Sequence, residues 1–253
     1  MMRLFDTHCH LDFDAFDKDR EAVLERASEA GVKRFMVPGV TRNQWEKLSS
    51  LASKNTSWSY ALGLHPWFIE EHDISDIEVL ERTLEQKKGQ VKAVGEIGLD
   101  KTCPDYDKQH TLFIRQLELA KQLKLPVIIH HRKTLDRTHA DIKKYGPERG
   151  VIHAFSGSHQ QAMKFVEQGY KLGVGGVITY DRAQKTRQAI QEVPIESLVL
   201  ETDSPDMPLS GYQGQRNEPY RVALVLEALA ELKSTDKEAL ASQLWQNSVE
   251  LFS

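Results

Sequence analysis

Two histidines lie two residues apart near the start of the chain, in the stretch Asp6-Thr-His8-Cys-His10. If this stretch is extended, His8 and His10 project from one face and Cys9 points away, because side chains alternate across a strand. Two imidazoles on one face can chelate a metal ion, or they can be packing or surface histidines. The pair alone leaves both interpretations open, so further ligands must be sought elsewhere in the chain.

Other metal-ligating side chains follow short apolar runs. These runs end in Gly63-Leu-His65-Pro66, Gly95-Glu96-Ile-Gly98-Leu-Asp100, His130-His131-Arg132, His153-Ala-Phe-Ser156-Gly157 and Glu201-Thr-Asp203-Ser-Pro205. His130 and His131 cannot both face inward from one strand, so one of them is not a direct ligand. The candidate metal ligands are His8, His10, Glu96, His130, His153 and Asp203.

This donor set has room for two divalent ions per chain. Imidazole with carboxylate suits zinc, manganese, iron or nickel, whereas magnesium prefers a shell dominated by oxygen. Zinc, manganese and magnesium are the candidate ions. Glu96 has two oxygens and could bridge the ions, which could hold a bridging water as hydroxide. Asp203 is then placed to orient that water and to accept its proton. Glu96 and Asp203 are therefore the candidate catalytic residues of a hydrolase.

The elements that must position these side chains alternate along the chain. Eight apolar runs predict strands at Arg3–Asp6, Arg34–Val37, Ser59–Leu62, Val91–Val94, Pro126–Ile129, Gly150–Ile152, Tyr170–Val174 and Ser197–Leu200. No G-x-G-x-x-G follows the first run, and the polar residues sit where strands end, on the face that carries barrel active sites. The pattern favours a (β/α)8 TIM barrel, with residues 1–253 as a single domain.

Helical spacing fills the intervals between the runs. Gly31 is a natural stop for the first helix, and Ser75 and Ser158 each read as the N-cap of a capping box. The segments near 135–145 and 182–192 have weaker periodicity, and helices are predicted there because the alternation requires them.

Composition narrows the class of protein. The formal net charge of −4 argues against a broad basic surface along a nucleic-acid duplex. No apolar stretch is long enough for a membrane helix, and the N-terminal residues turn polar too soon for a signal peptide. The two cysteines imply no disulfide framework, so we expect a cytoplasmic protein. No obligate protein partner is evident.

The ordered motifs resemble the TatD family of metal-dependent deoxyribonucleases, within the amidohydrolase-like barrels. The similarity covers essentially the whole chain, and the motif order is nearest to the YjjV-like bacterial branch. The motifs are D-T-H-C-H-L-D, G-L-H-P, G-E-I-G-L-D, P-V-I-I-H-H-R, V-I-H-A-F-S-G, E-T-D-S-P and the late R-N-E-P at Arg216–Pro219.

The resemblance implies a TIM barrel with two metal ions. His8, His10, Glu96 and Asp203 would serve one ion, and Glu96, His130 and His153 the other. It also implies 3′-to-5′ exonuclease action on DNA ends or single strands. Residues His65, Arg132 and Asn217 fall in motif segments near the expected pocket and are candidates for contacts to substrate phosphate.

The sequence departs from the family pattern at two places. The motif of the fifth strand commonly has Ser or Thr where this chain has His131, and Lys101–Asp107 lacks an aromatic-rich substrate loop beyond Tyr106. A hydrolase of a small ester, amide or phosphate ester is the alternative, because related barrels use similar metal centres and this acidic chain has no basic stretch typical of a DNA-binding surface. A non-catalytic zinc protein is disfavoured, because a structural zinc site is closed and four-coordinate.

Overall fold

A computed structural model describes residues 2–253, and its framework is one parallel sheet of eight strands paired in sequence order. The strands are β1 (Leu4–Asp6), β2 (Val32–Pro38), β3 (Trp58–Leu62), β4 (Val91–Asp100), β5 (Val127–Arg132), β6 (Gly150–Ile152), β7 (Lys171–Val174) and β8 (Leu198–Leu200). Each of the eight predicted runs overlaps one strand, and the first, fifth, seventh and eighth begin one residue before it. β4 extends beyond its predicted end through Asp100, because its last residues pair with the His130–Arg132 end of β5.

The sheet closes on itself where β1 meets the segment after β8. The Thr7 N–H donates to the Leu200 carbonyl at 2.9 Å, and the Asp203 N–H donates to the His8 carbonyl at 2.9 Å. A third bond, 2.7 Å long, runs from the His10 N–H to the Ser204 carbonyl. We call this junction the seam. It confirms the TIM barrel.

Helices follow the strands around the outside of the barrel. They are α1 (Arg20–Glu29), α2 (Trp45–Lys54), α3 (Asp76–Gln86), α4 (Tyr106–Leu123), α5 (Leu135–Tyr145), α6 (His159–Val166), α7 (Gln184–Glu192), α8 (Val222–Lys233) and α9 (Lys237–Leu251). α5 and α7 occupy the two segments of weak periodicity. None of the helices within residues 2–253 is both long and apolar enough to cross a bilayer.

Helix ends test the predicted stop and start signals. Gly31 follows α1 with a left-handed φ of 91°, and Ser158 forms the predicted capping box with Gln161. The capping box predicted at Ser75 is wrong, because its side chain makes no capping hydrogen bond. Carboxylates do that work instead: Asp73 accepts from the Ser75 N–H at 2.8 Å, and Asp76 accepts from the Asp73 N–H at 2.9 Å.

Two apolar clusters hold these layers together. The larger lies between strands and helices. The smaller takes one residue from each of seven strands, Phe5 and Val199 among them, together with Leu251 at the end of α9 and Phe252 after it. Alternation along the strands places this smaller cluster inside the barrel. Asn247 on α9 donates to the Leu198 carbonyl at 2.8 Å, so α9 covers the end where the strands begin. The opposite end is left open for the site.

Candidate metal centre and active-site cavity

The first strand delivers two imidazoles to the open end of the barrel. Asp6, at the end of β1, accepts hydrogen bonds from the Thr202 N–H at 3.0 Å and the Thr202 hydroxyl at 2.6 Å, which anchors this end of the seam. Beyond it, Nε2 of His8 lies 3.3 Å from Nε2 of His10. Cys9 points the other way, with Sγ 3.8 Å from the Met36 carbonyl, as strand alternation predicts.

Glu96 stands between two groups of histidines. Its Oε2 lies 3.1 Å from His8 Nε2 and 3.5 Å from His10 Nε2. Its Oε1 lies 3.3 Å from His130 Nδ1 and 3.1 Å from His65 Nε2. One carboxylate therefore presents a separate oxygen to each group, as required of a residue that bridges two ions.

Two glycines allow the backbone of β4 to lie close enough to β5 for this arrangement. A Cβ at Gly95 would come within 2.6 Å of the Ile128 Cβ, and one at Gly98 within 2.0 Å of the His130 carbonyl oxygen. Side chains at either position would push the strands apart and withdraw Glu96 from His130.

Asp203 and His153 complete the cluster from two further loops. Asp203 Oδ1 lies 3.6 Å from Nε2 of both His8 and His10, and Oδ2 lies 3.7 Å from His153 Nε2. His153 Nε2 is also 4.0 Å from Glu96 Oε1. The structure thus brings together all six predicted ligands: His8, His10, Glu96, His130, His153 and Asp203.

Two of the imidazoles are backed by carboxylates that sequence reasoning missed. His130 Nε2 lies 3.1 Å from Asp100 Oδ2, and His153 Nδ1 lies 3.1 Å from Glu201 Oε1. Glu201 fits because Gly173 faces it: a Cβ there would come within 2.2 Å of Glu201 Oε2. Both acids stand in the quoted motifs, but only the fold shows which histidine each one meets.

The charges of the cluster depend on burial and mutual contact. Burial alone would raise the pKa of the Glu96 carboxyl, but the facing imidazoles, His65 and His8 foremost, hold it well below its usual range. Burial lowers the pKa of His8 far below its ordinary value, with the neighbouring His153 adding to the effect. Burial raises the pKa of Asp203 to about 6, against the pull of His153 and His10.

The donor set fits divalent cations. Three groups of three buried or half-buried side chains each offer ligand atoms within 4.8 Å of one another: His8 with His10 and Asp203, His65 with Glu96 and His130, and His8 with His153 and Glu201. Imidazole nitrogens with lone pairs, interleaved with ionised carboxylates, are what zinc or manganese binds.

The cluster opens into a cavity of about 480 Å³. Trp67 and Phe68 from the loop after β3 line one side, together with Phe13, which stacks on His10 at a centroid distance of 4.5 Å. Trp67 is 52% exposed while its indole N–H donates to Asp100 Oδ2 at 2.8 Å. All three aromatic residues lie before the Lys101–Asp107 segment, the stretch in which the sequence analysis expects such a loop, so it does not identify them.

The three predicted substrate contacts have different outcomes. Arg132 is exposed and lines the cavity. His65 also lines it, but both ring nitrogens are engaged: Nδ1 accepts from the Trp67 N–H at 3.0 Å, and Nε2 meets Glu96. A phosphate contact by His65 would have to replace one of these bonds.

Asn217 is not available to substrate, and its prediction as a phosphate contact is wrong. Its side chain is fully buried and its amide donates to the carbonyls of Thr202 at 2.9 Å and Met207 at 3.2 Å. Its carbonyl accepts from the Glu218 N–H at 3.0 Å. Asn217 therefore holds the loop that carries Asp203 instead of facing the cavity.

Comparisons with known proteins agree with this architecture. A family profile described as "TatD related DNase" matches residues 5–253. The chain is 46% identical over 253 residues to the uncharacterized metal-dependent hydrolase YjjV of Escherichia coli K12, covering 99% of this chain and 98% of that protein. The crystal structure of that TatD homologue superposes with a TM-score of 0.96, over 99% of this chain and 98% of that one.

More distant relatives also match over nearly the whole chain, and one of them is named a deoxyribonuclease. An uncharacterized metal-dependent hydrolase of Haemophilus influenzae is 41% identical over 262 residues and covers 100% of both chains. Human deoxyribonuclease TATDN3 is 32% identical over 263 residues, covering 98% of this chain and 94% of that protein.

Proposed function

This chain belongs to the TatD family of metal-dependent hydrolases, and we propose that it is a deoxyribonuclease that cleaves phosphodiester bonds of single-stranded DNA or DNA ends from the 3′ side. The observation that carries the proposal is the cluster in which Glu96 faces His8 at 3.1 Å and His130 at 3.3 Å beside an open cavity. The name of the human relative supports DNA as the substrate.

Two divalent cations would be held by the predicted sets. His8, His10, Glu96 and Asp203 would hold one, and Glu96, His130 and His153 the other. When bound, such ions supply Lewis acidity at the phosphate and acidify water. Zinc or manganese suits this mixture of nitrogen and oxygen better than magnesium.

Asp203 is our candidate for the proton acceptor. Of the four carboxylates beside the imidazoles it is the most open, with 17% of its side chain exposed against 3% for Glu96, 2% for Glu201 and 0% for Asp100. Burial raises its pKa to about 6, so the group is mostly ionised near neutral pH and able to take a proton from attacking water.

The walls of the cavity favour a nucleotide substrate. The Arg132 guanidinium can bind a phosphate oxygen, and the exposed face of Trp67 can stack on a base. The sequence analysis assigns no residue to stacking with a base. A small ester offers neither a base nor a second phosphate for these groups.

The proposal is tested by assaying metal-reconstituted protein on single-stranded DNA labelled at the 3′ end, beside the same strand labelled at the 5′ end. We expect early release of labelled mononucleotide from the 3′ label only. Glu96→Gln, reconstituted in parallel, should release none, because Glu96 faces both groups of imidazoles.

Hydrolysis of a small ester, amide or phosphate ester is the second candidate. The net charge of −4 favours it, as does a cavity of about 480 Å³, which is within the range for small ligands. Turnover of such a substrate by protein that leaves both DNA labels intact would replace the nuclease proposal.

A cytoplasmic location, predicted from the two thiols, remains part of the proposal.

A further inference from the structure

A second cavity of about 490 Å³ adjoins the metal-centre cavity and shares His131, Arg132 and Ser156 with it. Lys101 follows β4, and Lys133 follows β5 directly. Lys185, near the start of α7, faces them. We call the cavity wall formed by Lys101, His131, Arg132, Lys133 and Lys185 the basic cleft.

The cations of the basic cleft are free to bind an anion. Lys101, Arg132, Lys133 and Lys185 are all exposed, and none forms an ion pair with any residue between Met2 and Ser253.

The other charged groups lining this cavity are already paired. Arg137 donates to Asp141 at 2.9 Å, and Asp136 accepts from Lys164 at 3.2 Å. The cleft is thus locally positive in a chain whose net charge is −4.

His131 gives a second and independent indication of a ligand. It is 9% exposed, lines both cavities, and its Nε2 is buried with no hydrogen-bond partner within the described residues. An unpaired buried polar nitrogen is destabilising, so a bound group that supplies the missing hydrogen bond would be favoured at this position.

We propose that the basic cleft binds the backbone phosphates of the DNA strand beyond the bond being cut, with His131 at the boundary between the two cavities. The inference rests on the proposed nuclease function and deepens it. A strand running from the metal centre past Arg132 would meet Lys133 and then Lys101 or Lys185, whereas a small ester would occupy the first cavity alone. Successive phosphates are the ligand that a row of unpaired cations fits.

The test compares an oligonucleotide of eight residues with a dinucleotide, using Lys133→Glu, Lys185→Glu and the double variant. The control is Lys88→Glu, an exposed lysine without an ion pair, in the turn before β4 at the other end of the barrel. The ratio of kcat/KM for the oligonucleotide to kcat/KM for the dinucleotide should fall at least tenfold in the double variant and by less than twofold in the control.

Binding measured apart from cleavage separates the two proposals. With Asp203→Asn protein and a labelled oligonucleotide, reversal of both lysines should lower the slope of log Kd against log salt by about 1.4, since each phosphate contact on a single strand contributes about 0.7. If the parent protein cleaves DNA but neither the ratio nor the slope responds to charge reversal, the cleft inference is overturned and the nuclease function stands. If the parent cleaves no DNA, yet the oligonucleotide binds and the slope falls, the cleft inference stands and the nuclease function fails. Oligonucleotide binding that is absent or insensitive to salt overturns the cleft inference outright.

Discussion

Two of the imidazoles in the cluster are each oriented by one carboxylate behind them. Asp100 faces His130 Nε2 and Glu201 faces His153 Nδ1, each at 3.1 Å, which leaves the opposite ring nitrogen directed at Glu96 or Asp203. Such partners fix the orientation of a ligating imidazole and raise its basicity. The two histidines of the second predicted ion are therefore oriented from behind, one by the end of β4 and one by the loop after β8.

Replacing Asp203 with Asn should separate metal binding from turnover. The amide keeps an oxygen for a cation but cannot accept a proton, so kcat should fall by about 10²–10⁴-fold, the range of general base catalysis. Metal content measured by plasma mass spectrometry should stay near that of the parent. The control is Asp181→Asn, an exposed residue before α7 that lines neither cavity, with kcat within about twofold. Asp203→Asn turnover within a few-fold of the parent would remove Asp203 from the role of base.

Glu201→Gln should weaken the second ion more than the first. Loss of the carboxylate behind His153 should lower affinity for one divalent ion by about 10–100-fold, as for other partners of ligating histidines. Competitive titration with a chromogenic chelator measures it. Glu196→Gln is the matched control, because Glu196 is exposed and lies just before β8. Equal affinities in the two variants would contradict a positioning role for Glu201.

The sequence could predict which residues cluster but not every pairing among them. Six donor residues at strand ends suffice to place His8, Glu96 and Asp203 on one face, because all strands of a parallel barrel end at the same face. Whether the Asn217 amide can contact a ligand depends on which backbone carbonyls the fold brings next to it, here that of Thr202 at 2.9 Å. That information is absent from a motif.

At the scale of elements, α9 covers the end of the barrel at which the strands begin. Phe252 packs against Phe5 with ring centroids 6.0 Å apart, and Trp245 packs against the same ring at 6.1 Å. Arg149, just before β6, donates to the carbonyl of Glu250 at 3.3 Å. The C-terminal helix is therefore part of the interior core.

Phe252→Ala should lower the free energy of unfolding by about 3–5 kcal/mol, the usual cost of removing a buried phenyl ring. Phe252 is 4% exposed, so its contacts would be replaced by a void. Urea denaturation followed by circular dichroism measures the change, with Phe252→Leu expected to lose under about 1.5 kcal/mol. A loss below 1 kcal/mol in the alanine variant would show that α9 covers the barrel without sealing it.

Elements were predicted well where the apolar pattern reports burial directly, as in the eight strands. Their ends were predicted less well, because ends depend on tertiary partners. β4 continues to Asp100 since β5 pairs with it there, which no local pattern signals. The cap of α3 likewise shifted from the Ser75 hydroxyl to the carboxylates of Asp73 and Asp76.

For the whole molecule, the buried cluster couples metal binding to stability. Four imidazoles and two carboxylates converge at the open end with little water to screen them, so an ion that binds only the folded chain should stabilise it. At a free ion concentration 100 times Kd the gain is about 2.7 kcal/mol per site.

Adding zinc or manganese to chelator-treated protein should therefore raise Tm by roughly 5–10 °C for a chain of this size. Differential scanning calorimetry measures the shift. Glu96→Gln should lose most of it, whereas Lys88→Glu should retain it. A parent protein whose Tm ignores both chelator and metal would contradict the predicted centre.

The seam has a consequence for synthesis of the protein. His8 and His10 emerge from the ribosome first, but Asp203 and the strand that holds it emerge nearly 200 residues later, and the Asp203 N–H to His8 carbonyl bond joins them at 2.9 Å. A nascent chain can form its early strands, yet it cannot assemble the candidate hydrolytic centre until β8 has left the exit tunnel. Every truncated or stalled product that lacks Asp203 should therefore be without hydrolytic activity.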